Sequence, residues 1–195
     1  MIAMWRLAGR LGNQMFQYAY LYAKAREGLI EDVYVQDPEY FDEYIEEIRA
    51  IYSQGIPEQT DMVGIHYRQG DYVGNPFYVD LSSTDYYERA MDMFPGEKFL
   101  VFSDDIKSAK KFFVGRQFEF SEGRDEIEDL NLLSSCKHQI IANSSFSLWS
   151  GILNPNPNKK VVCPIETKYY SDGLVRTRYP ENFIQIDFHN ESASK

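Results

Sequence analysis

Short apolar runs alternate along the chain with longer stretches in which apolar side chains recur every three or four positions. The runs read as strands and the periodic stretches as helices. Strands are expected at residues 1–7, Val33–Val35, Met62–Tyr67, Phe99–Phe102, Gln117–Phe120, Gln139–Ala142, Val161–Cys163 and Phe183–Ile186. Between them, a helix capped by Asn13 runs to about Arg26, with Met15, Ala19, Tyr22 and Ala23 on one face. A second spans Tyr40–Tyr52, with Phe41, Tyr44, Ile45 and Ile48 together and an acidic face opposite. Further helices are expected after Thr84 or Asp85, over 106–113, over Asp125–Cys136, and from about Ser145 to Leu153. Gly28, Pro95-Gly96, Pro155 and Pro157 punctuate the series. Alternating strands and helices predict an α/β fold: a parallel sheet with helices on both faces. Ser53–Asp61, with Gly55 and Pro57, reads as a linker. It divides a small N-terminal α/β region, 1–58, from a sheet domain, 59–195.

Three of these strands run directly into polar clusters: His66–Asp71, Ser103–Asp105 and Asn143–Ser147. In a parallel sheet such ends point to one edge, where open α/β folds bind ligands. Arg68 offers a permanent cation with a planar fork suited to phosphate oxygens. Asn143, Ser144 and Ser145 stand at a helix start, where free N–H groups favour an anion. Asp104 or Asp105 can accept from a base or a ribose hydroxyl. Asp71 can hold Arg68 or a ligand hydroxyl, and His66 has the ordinary pKa for acid–base work. Structural readings stand beside these. Asp104, Asp105, Asn143 and the serines also suit helix caps, His66 also suits a satisfied core position, and Arg68–Asp71 also suits a simple ion pair. Gly9 to Asn13 forms a G-x-x-G turn between strand and helix, which is not a dinucleotide fingerprint.

Composition narrows the ligand. The chain has 195 residues, of which 44% are apolar, enough for a substantial core. Its formal charge is −10, from 20 basic and 30 acidic residues. Bulk charge of that sign does not draw nucleic acid or anionic lipid, so an anionic ligand must be held by a few local cations. Aromatic residues make up 15%, suiting a ring-packed core or a ring-lined cleft. Cys136 and Cys163, unrelated in spacing, form neither a disulfide framework nor a zinc site. The three histidines are isolated. No metal site is expected, and Asp104-Asp105 is the single candidate carboxylate pair for one. Neither a P-loop nor a nucleophilic-hydrolase signature occurs. No apolar run approaches a membrane span, and Met1–Trp5 lacks the features of a signal peptide, so a cytoplasmic protein is expected.

Four segments together carry a family resemblance. Gly9-Arg10-Leu11-Gly12-Asn13-Gln14-Met15-Phe16-Gln17-Tyr18-Ala19 resembles the N-terminal motif of the α-1,2-fucosyltransferases, glycosyltransferase family 11. His66-Tyr67-Arg68-Gln69-Gly70-Asp71-Tyr72-Val73 resembles the central motif. Phe102–Asp105 and Ile140–Trp149 resemble two more, in the family's order. The resemblance implies a GT-B architecture with Rossmann-like domains, GDP-fucose as donor, a glycan hydroxyl as acceptor, inversion at the fucose carbon, and no metal or other cofactor. Arg68 would neutralise the departing diphosphate. Asn143, Ser144 and Ser145 would hold phosphate oxygens, and Ser103, Asp104 and Asp105 would lie near the nucleoside. Gly9, Gly12 and Asn13 would face the reacting sugar, and His66, Asp71 or a water would serve as base. Two departures stand out. A second basic residue often follows the arginine, and here it is Gln69; paired tryptophans become Leu148-Trp149. Family members are also longer, the shortfall lying between the first helix and Val33. The donor half therefore looks complete and the acceptor half minimal. The rival expectations are a sugar-nucleotide-binding module without transfer, and a transferase of the same fold using another nucleotide sugar.

Overall fold

A computed structural model describes residues 9–27, 38–75, 78–165 and 178–188. The strands expected at 1–7 and Val33–Val35, and the tail from residue 189, lie outside the described residues.

Six strands make one sheet: β1 (Thr60–Tyr67), β2 (Phe99–Ser103), β3 (Phe118–Phe120), β4 (Cys136–Ile140), β5 (Val161–Pro164) and β6 (Ile184–Ile186). Every pairing is parallel, and the order is β3-β2-β1-β4-β5-β6. This is the order of a doubly wound, Rossmann-like sheet, and it reverses direction between β1 and β4. The connections on either side of β1 then leave in opposite directions and open a crevice at the carboxyl edge.

Alternation along the strands fixes both faces. Val63, Ile65 and Tyr67 of β1 join Phe99 and Val101 of β2 on one face. There they meet Tyr86, Tyr87 and Ala90 of α3 (Tyr86–Met91), and Ala109 of α4 (Ile106–Phe112). Leu100 and Phe102 point the other way, towards Leu133 of α5 (Glu126–Ser134). Next to α5 runs α6 (Ser145–Leu153), and on α6 lie α1 (Leu11–Glu27), a 3-10 helix (Pro38–Tyr44) and α2 (Ile45–Tyr52). Trp149 of α6 centres this layer. It is fully buried and stacks on Phe41 at 5.4 Å, with Phe16 at 4.9 Å and the edge of Tyr52 at 5.3 Å. Met15, Phe16 and Ile48 belong to one core cluster with Ile141, Val161 and Cys163 of the sheet side. The N-terminal helices and the sheet therefore share apolar surface across the linker.

Several boundaries differ from the sequence expectation for local reasons. Asn13 does not cap α1. The helix begins at Leu11, and the Asn13 side chain instead accepts from Ser145 Oγ at 2.7 Å. The expected single helix over 40–52 is 3-10 up to Tyr44 and α only afterwards. The helix expected to end at Cys136 stops at Ser134, and Cys136 opens β4 by pairing with Thr60. Polar residues hid that start: Lys137 pairs with Glu97 at 2.6 Å, and His138 Nδ1 accepts from Lys160 N at 3.1 Å. Other signals hold. Asp125 forms a capping box with Glu128, and Thr84 Oγ1 accepts from Tyr86 N at 3.2 Å ahead of α3. Among the described residues, no helix is long and apolar enough to cross a membrane.

Candidate active site

The carboxyl ends of β1, β2 and β4 open, together with the start of α1, into one cavity of about 460 Å³. It lies where the strand order reverses. Of the residues singled out in the sequence, Gly9, Gly12 and Asn13 enter it from the α1 side. His66, Arg68 and Asp71 come from the end of β1, and Ser103 and Asp104 from the end of β2. Asn143, Ser144 and Ser145 come from the turn between β4 and α6. Asp105 does not line the cavity. Its carboxylate accepts from Ser108 N at 3.0 Å and caps α4, so of the two adjacent carboxylates only Asp104 faces the site.

Arg68 is held on several sides and its side chain is 10% exposed. Its Nη2 donates to Asp71 Oδ1, and its Nη1 lies 2.9 Å from Asp104 Oδ2. The guanidinium sits 5.2 Å from the centre of the Tyr72 ring. Its Nε is buried and has no hydrogen-bond partner among the described residues. Gly70 makes this arrangement achievable. Its φ is +23°, and a Cβ there would stand 2.2 Å from Asp104 Oδ2. With the side chain absent, Asp104 reaches over the turn and also accepts from Gln69 N at 3.0 Å. Buried Gln69 supplies no charge.

The turn before α6 is pinned from inside the protein. Asn143 Nδ2 donates to Val79 O at 3.0 Å, and the Asn143 carbonyl accepts from Tyr72 Oη at 2.9 Å. The Ser145 hydroxyl is spent on Asn13. Ser144 occupies the position before α6 with an extended backbone and no side-chain capping bond. Gly12 explains how close α1 comes: a Cβ on it would lie 2.5 Å from Phe146 N. The two helix starts thus abut, and the Gly9–Asn13 turn is fixed at the cavity wall.

Neither candidate base titrates near neutrality. His66 is buried, with Nδ1 lacking a partner among the described residues and Phe146 at 5.2 Å from its ring. Burial, with the neighbouring Arg68 charge, pushes its pKa down to about 3, so the ring is neutral. Partial burial works to raise the Asp71 carboxyl. The hydrogen bond and charge of Arg68, aided by Arg10, outweigh it and hold Asp71 below the usual carboxylate range.

Arg10, Tyr72, Glu126 and Asp129 are among the cavity residues that the sequence did not mark as site members. Arg10 places Nη1 3.7 Å from Asp104 Oδ2 and Nη2 3.9 Å from Asp71 Oδ1. Tyr72 lines the wall, stacked on Tyr78 at 4.2 Å. Glu126 and Asp129 reach in from α5. Burial raises the Asp129 carboxyl, opposed by a hydrogen bond from Ser121 Oγ at 2.5 Å and by the Arg124 charge. Arg10 was visible as a basic residue inside a glycine turn. Glu126 and Asp129 gave no sequence signal, because an acidic first turn is ordinary for any helix. Among the described residues no group of three or more His, Cys, Asp or Glu gathers as a metal-binding set.

Comparison with known proteins gives the chain's family. The chain is 36% identical over 125 residues to the O-antigen biosynthesis glycosyltransferase WbnK of Escherichia coli, covering 58% of this chain and 41% of that protein. It is 32% identical over 161 residues to an α-1,2-colitosyltransferase of Escherichia coli, covering 70% of this chain and 56% of that protein. It is 26% identical over 118 residues to the galactoside 2-α-L-fucosyltransferase Sec1 of Mus musculus, covering 54% and 32%. The chain spans about half the length of the first two of these relatives. Among solved structures it is similar to NodZ α-1,6-fucosyltransferase soaked with GDP-fucose, at a TM-score of 0.36 and 14% identity, covering 77% of this chain and 65% of that one. The model for glycosyl transferase family 11 matches residues 42–185, a span holding β1 to β5 and the turns that carry Arg68, Asp104 and Ser144, and this chain belongs to that family.

Proposed function

We propose that the chain transfers L-fucose from GDP-fucose to a sugar hydroxyl, with inversion at the anomeric carbon. The observation that carries this reading is the buried Arg68 guanidinium at the strand-order reversal, beside the start of α6. Such a crevice is where an α/β sheet takes a nucleotide, and a fixed guanidinium beside backbone N–H groups suits a diphosphate. Glu126 and Asp129 offer carboxylate acceptors to the N–H edge of guanine. Residues 59–195 supply the donor side and residues 1–58 the acceptor side.

In the step itself the acceptor oxygen bonds to the anomeric carbon from the face opposite the diphosphate. The bond from that carbon to the β-phosphate oxygen breaks, and GDP leaves with the electron pair. Charge develops on the departing oxygen, so donors already aimed there lower the barrier. Arg68 is such a donor, held in place before substrate arrives. Ser144 and the first N–H groups of α6 serve the phosphates, while Asn143 and Ser145 position that turn. His66 and Asp71 are both weak bases in this site, so the acceptor's proton leaves late, as the new bond forms, to Asp71, His66 or a water. Arg68 and the first N–H groups of α6 take the place that a metal fills elsewhere, so transfer persists in excess EDTA.

A second reading has its own support: one relative is named for colitose transfer. A thermal-shift and calorimetric panel of GDP-fucose, other GDP-sugars and UDP-sugars decides the donor. Release of GDP in the presence of a galactoside acceptor then separates a transferase from a module that only binds. Preference for a UDP-sugar would sink the GDP-fucose reading, and binding with no turnover would sink transfer.

A further inference from the structure

Arg68 is the obvious cation of the cavity, but it is already balanced. One guanidinium faces two carboxylates, Asp71 and Asp104, and that trio alone carries net negative charge. Glu126 and Asp129 add more at the same cavity. A diphosphate entering this set would meet repulsion, and the repulsion would grow as the sugar leaves and another negative charge forms.

Among the described residues that line the cavity, Arg10 is the one cation besides Arg68. It touches the same two carboxylates on quite different terms. Its nitrogens stand 3.7 and 3.9 Å from them, beyond hydrogen-bond contact, and its side chain is 61% exposed. A solvent-exposed pair at such distances is weak and easily exchanged. The backbone beneath it is firm. Gln14 N donates to Arg10 O at 3.1 Å, Gln14 Nε2 donates to Gly9 O at 2.8 Å, and Gly12 is wedged against α6. Only the side chain is loose.

We propose that Arg10 is the exchangeable half of a two-arginine diphosphate clamp. In the empty site it rests against Asp71 and Asp104. When a diphosphate enters, the guanidinium leaves those carboxylates and donates to phosphate oxygens, while Arg68 stays fixed. Asp71 and Asp104 therefore do two things: they hold Arg68 rigid and they park Arg10 within reach. The second cation comes from the turn before α1, and the residue after Arg68 is the uncharged Gln69. This inference rests on the reading of the cavity as a nucleoside-diphosphate site, and its test can fail separately from that reading.

Calorimetry of GDP, GMP and guanosine on the full chain, at low and high NaCl, tests it with Arg10→Ala and Arg10→Lys. Arg10→Ala should weaken GDP roughly 10- to 100-fold, as loss of a charge-assisted hydrogen bond does. Guanosine affinity should stay unchanged, and GDP binding should lose part of its salt dependence. Arg10→Lys should recover part of the GDP affinity, since the charge returns without the fork. The ligand-free melting temperature of Arg10→Ala should match wild type, because the residue is exposed. If wild type binds GDP and Arg10→Ala binds it equally well, the clamp is wrong while the nucleotide reading stands. If Arg10→Ala weakens guanosine as much as GDP, the effect is structural and the clamp is again wrong. If wild type binds no GDP, the nucleotide reading fails and the clamp fails with it.

Discussion

The two edges of the sheet treat buried positive charge in opposite ways. At the carboxyl edge, Arg68 is nearly enclosed and compensated by two carboxylates. At the amino end of β5, Lys159 sits in a second groove lined also by Arg49, Asn154 and Asn182. There its Nζ donates to a carbonyl, Asn154 O, at 2.5 Å. Glu46 is close enough to help but is hydrogen-bonded to Arg49 at 2.5 Å. Burial, with the Arg49 charge added, pulls the Lys159 pKa down to about 8. A guanidinium bracketed by carboxylates remains a cation at any working pH, whereas an ammonium without a carboxylate partner is ready to give its charge up. The first arrangement preserves a charge for a ligand. The second only tolerates one.

That contrast breaks most sharply at Arg68→Ala. The change leaves Asp71 and Asp104 together with only the distant Arg10 to balance them. Removing one partner of a buried charge pair typically weakens binding by about 2–5 kcal/mol. Calorimetry with GDP should show that loss while far-UV circular dichroism keeps the native helix and sheet signal. Unchanged affinity would take Arg68 out of the site. Gly70→Ala comes next. Its Cβ would collide with Asp104 at 2.2 Å on a backbone of positive φ, so the carboxylate must retreat from Arg68. Strain of about 1–3 kcal/mol is expected at such a position. Both melting temperature and GDP affinity should fall, and a variant that melts like wild type would show that the turn is not under this constraint.

His66 sharpens the comparison through pH. Its folded pKa, about 3, lies below the ordinary 6.5. The unfolded chain therefore takes up a proton that the folded chain refuses as pH falls below the ordinary value. Its contribution to stability is full above that value and is lost towards the folded pKa. Urea unfolding between about pH 7 and pH 5 should show stability declining by up to about 1.4 kcal/mol per pH unit, and His66→Gln should flatten the slope. Asp71 does not confuse this window, because its depressed carboxyl is ionised there in both states. An equal slope in the variant would mean that His66 is not held neutral. The smallest effect is expected at the other edge. Lys159→Met removes a partly buried charge that has no carboxylate in ion-pair contact among the described residues, so it should raise the melting temperature slightly at neutral pH and leave GDP binding unchanged. In wild type the same charge makes stability rise between about pH 8 and the ordinary lysine value of 10.5, as the folded form stops holding its costly proton before the unfolded one does. A melting temperature lowered by Lys159→Met would show that the ammonium is well compensated after all.

Much of this molecule was legible one residue at a time. Apolar runs ending in His66–Asp71, Ser103–Asp105 and Asn143–Ser145 announced strands with a shared polar edge, because alternation and burial are local properties of a β/α pattern. The start of a helix at Asp125 and the stop at Pro155 were equally local. What the pattern could not weigh was competition for partners. Asn13 looked like a cap and became the acceptor for Ser145, 132 positions away. Asp104 and Asp105 are neighbours in sequence, yet one turns to Arg68 and the other to Ser108 N. His66 kept its ordinary pKa on paper and lost it to burial. Arg10 and Asp129 gained their meaning only when α1 and α5 brought them to the same cavity. Period and polarity along a chain reveal which faces are buried. Which charge meets which, and how much water is left between them, depends on distances across the fold, and those distances are a property of the tertiary structure alone.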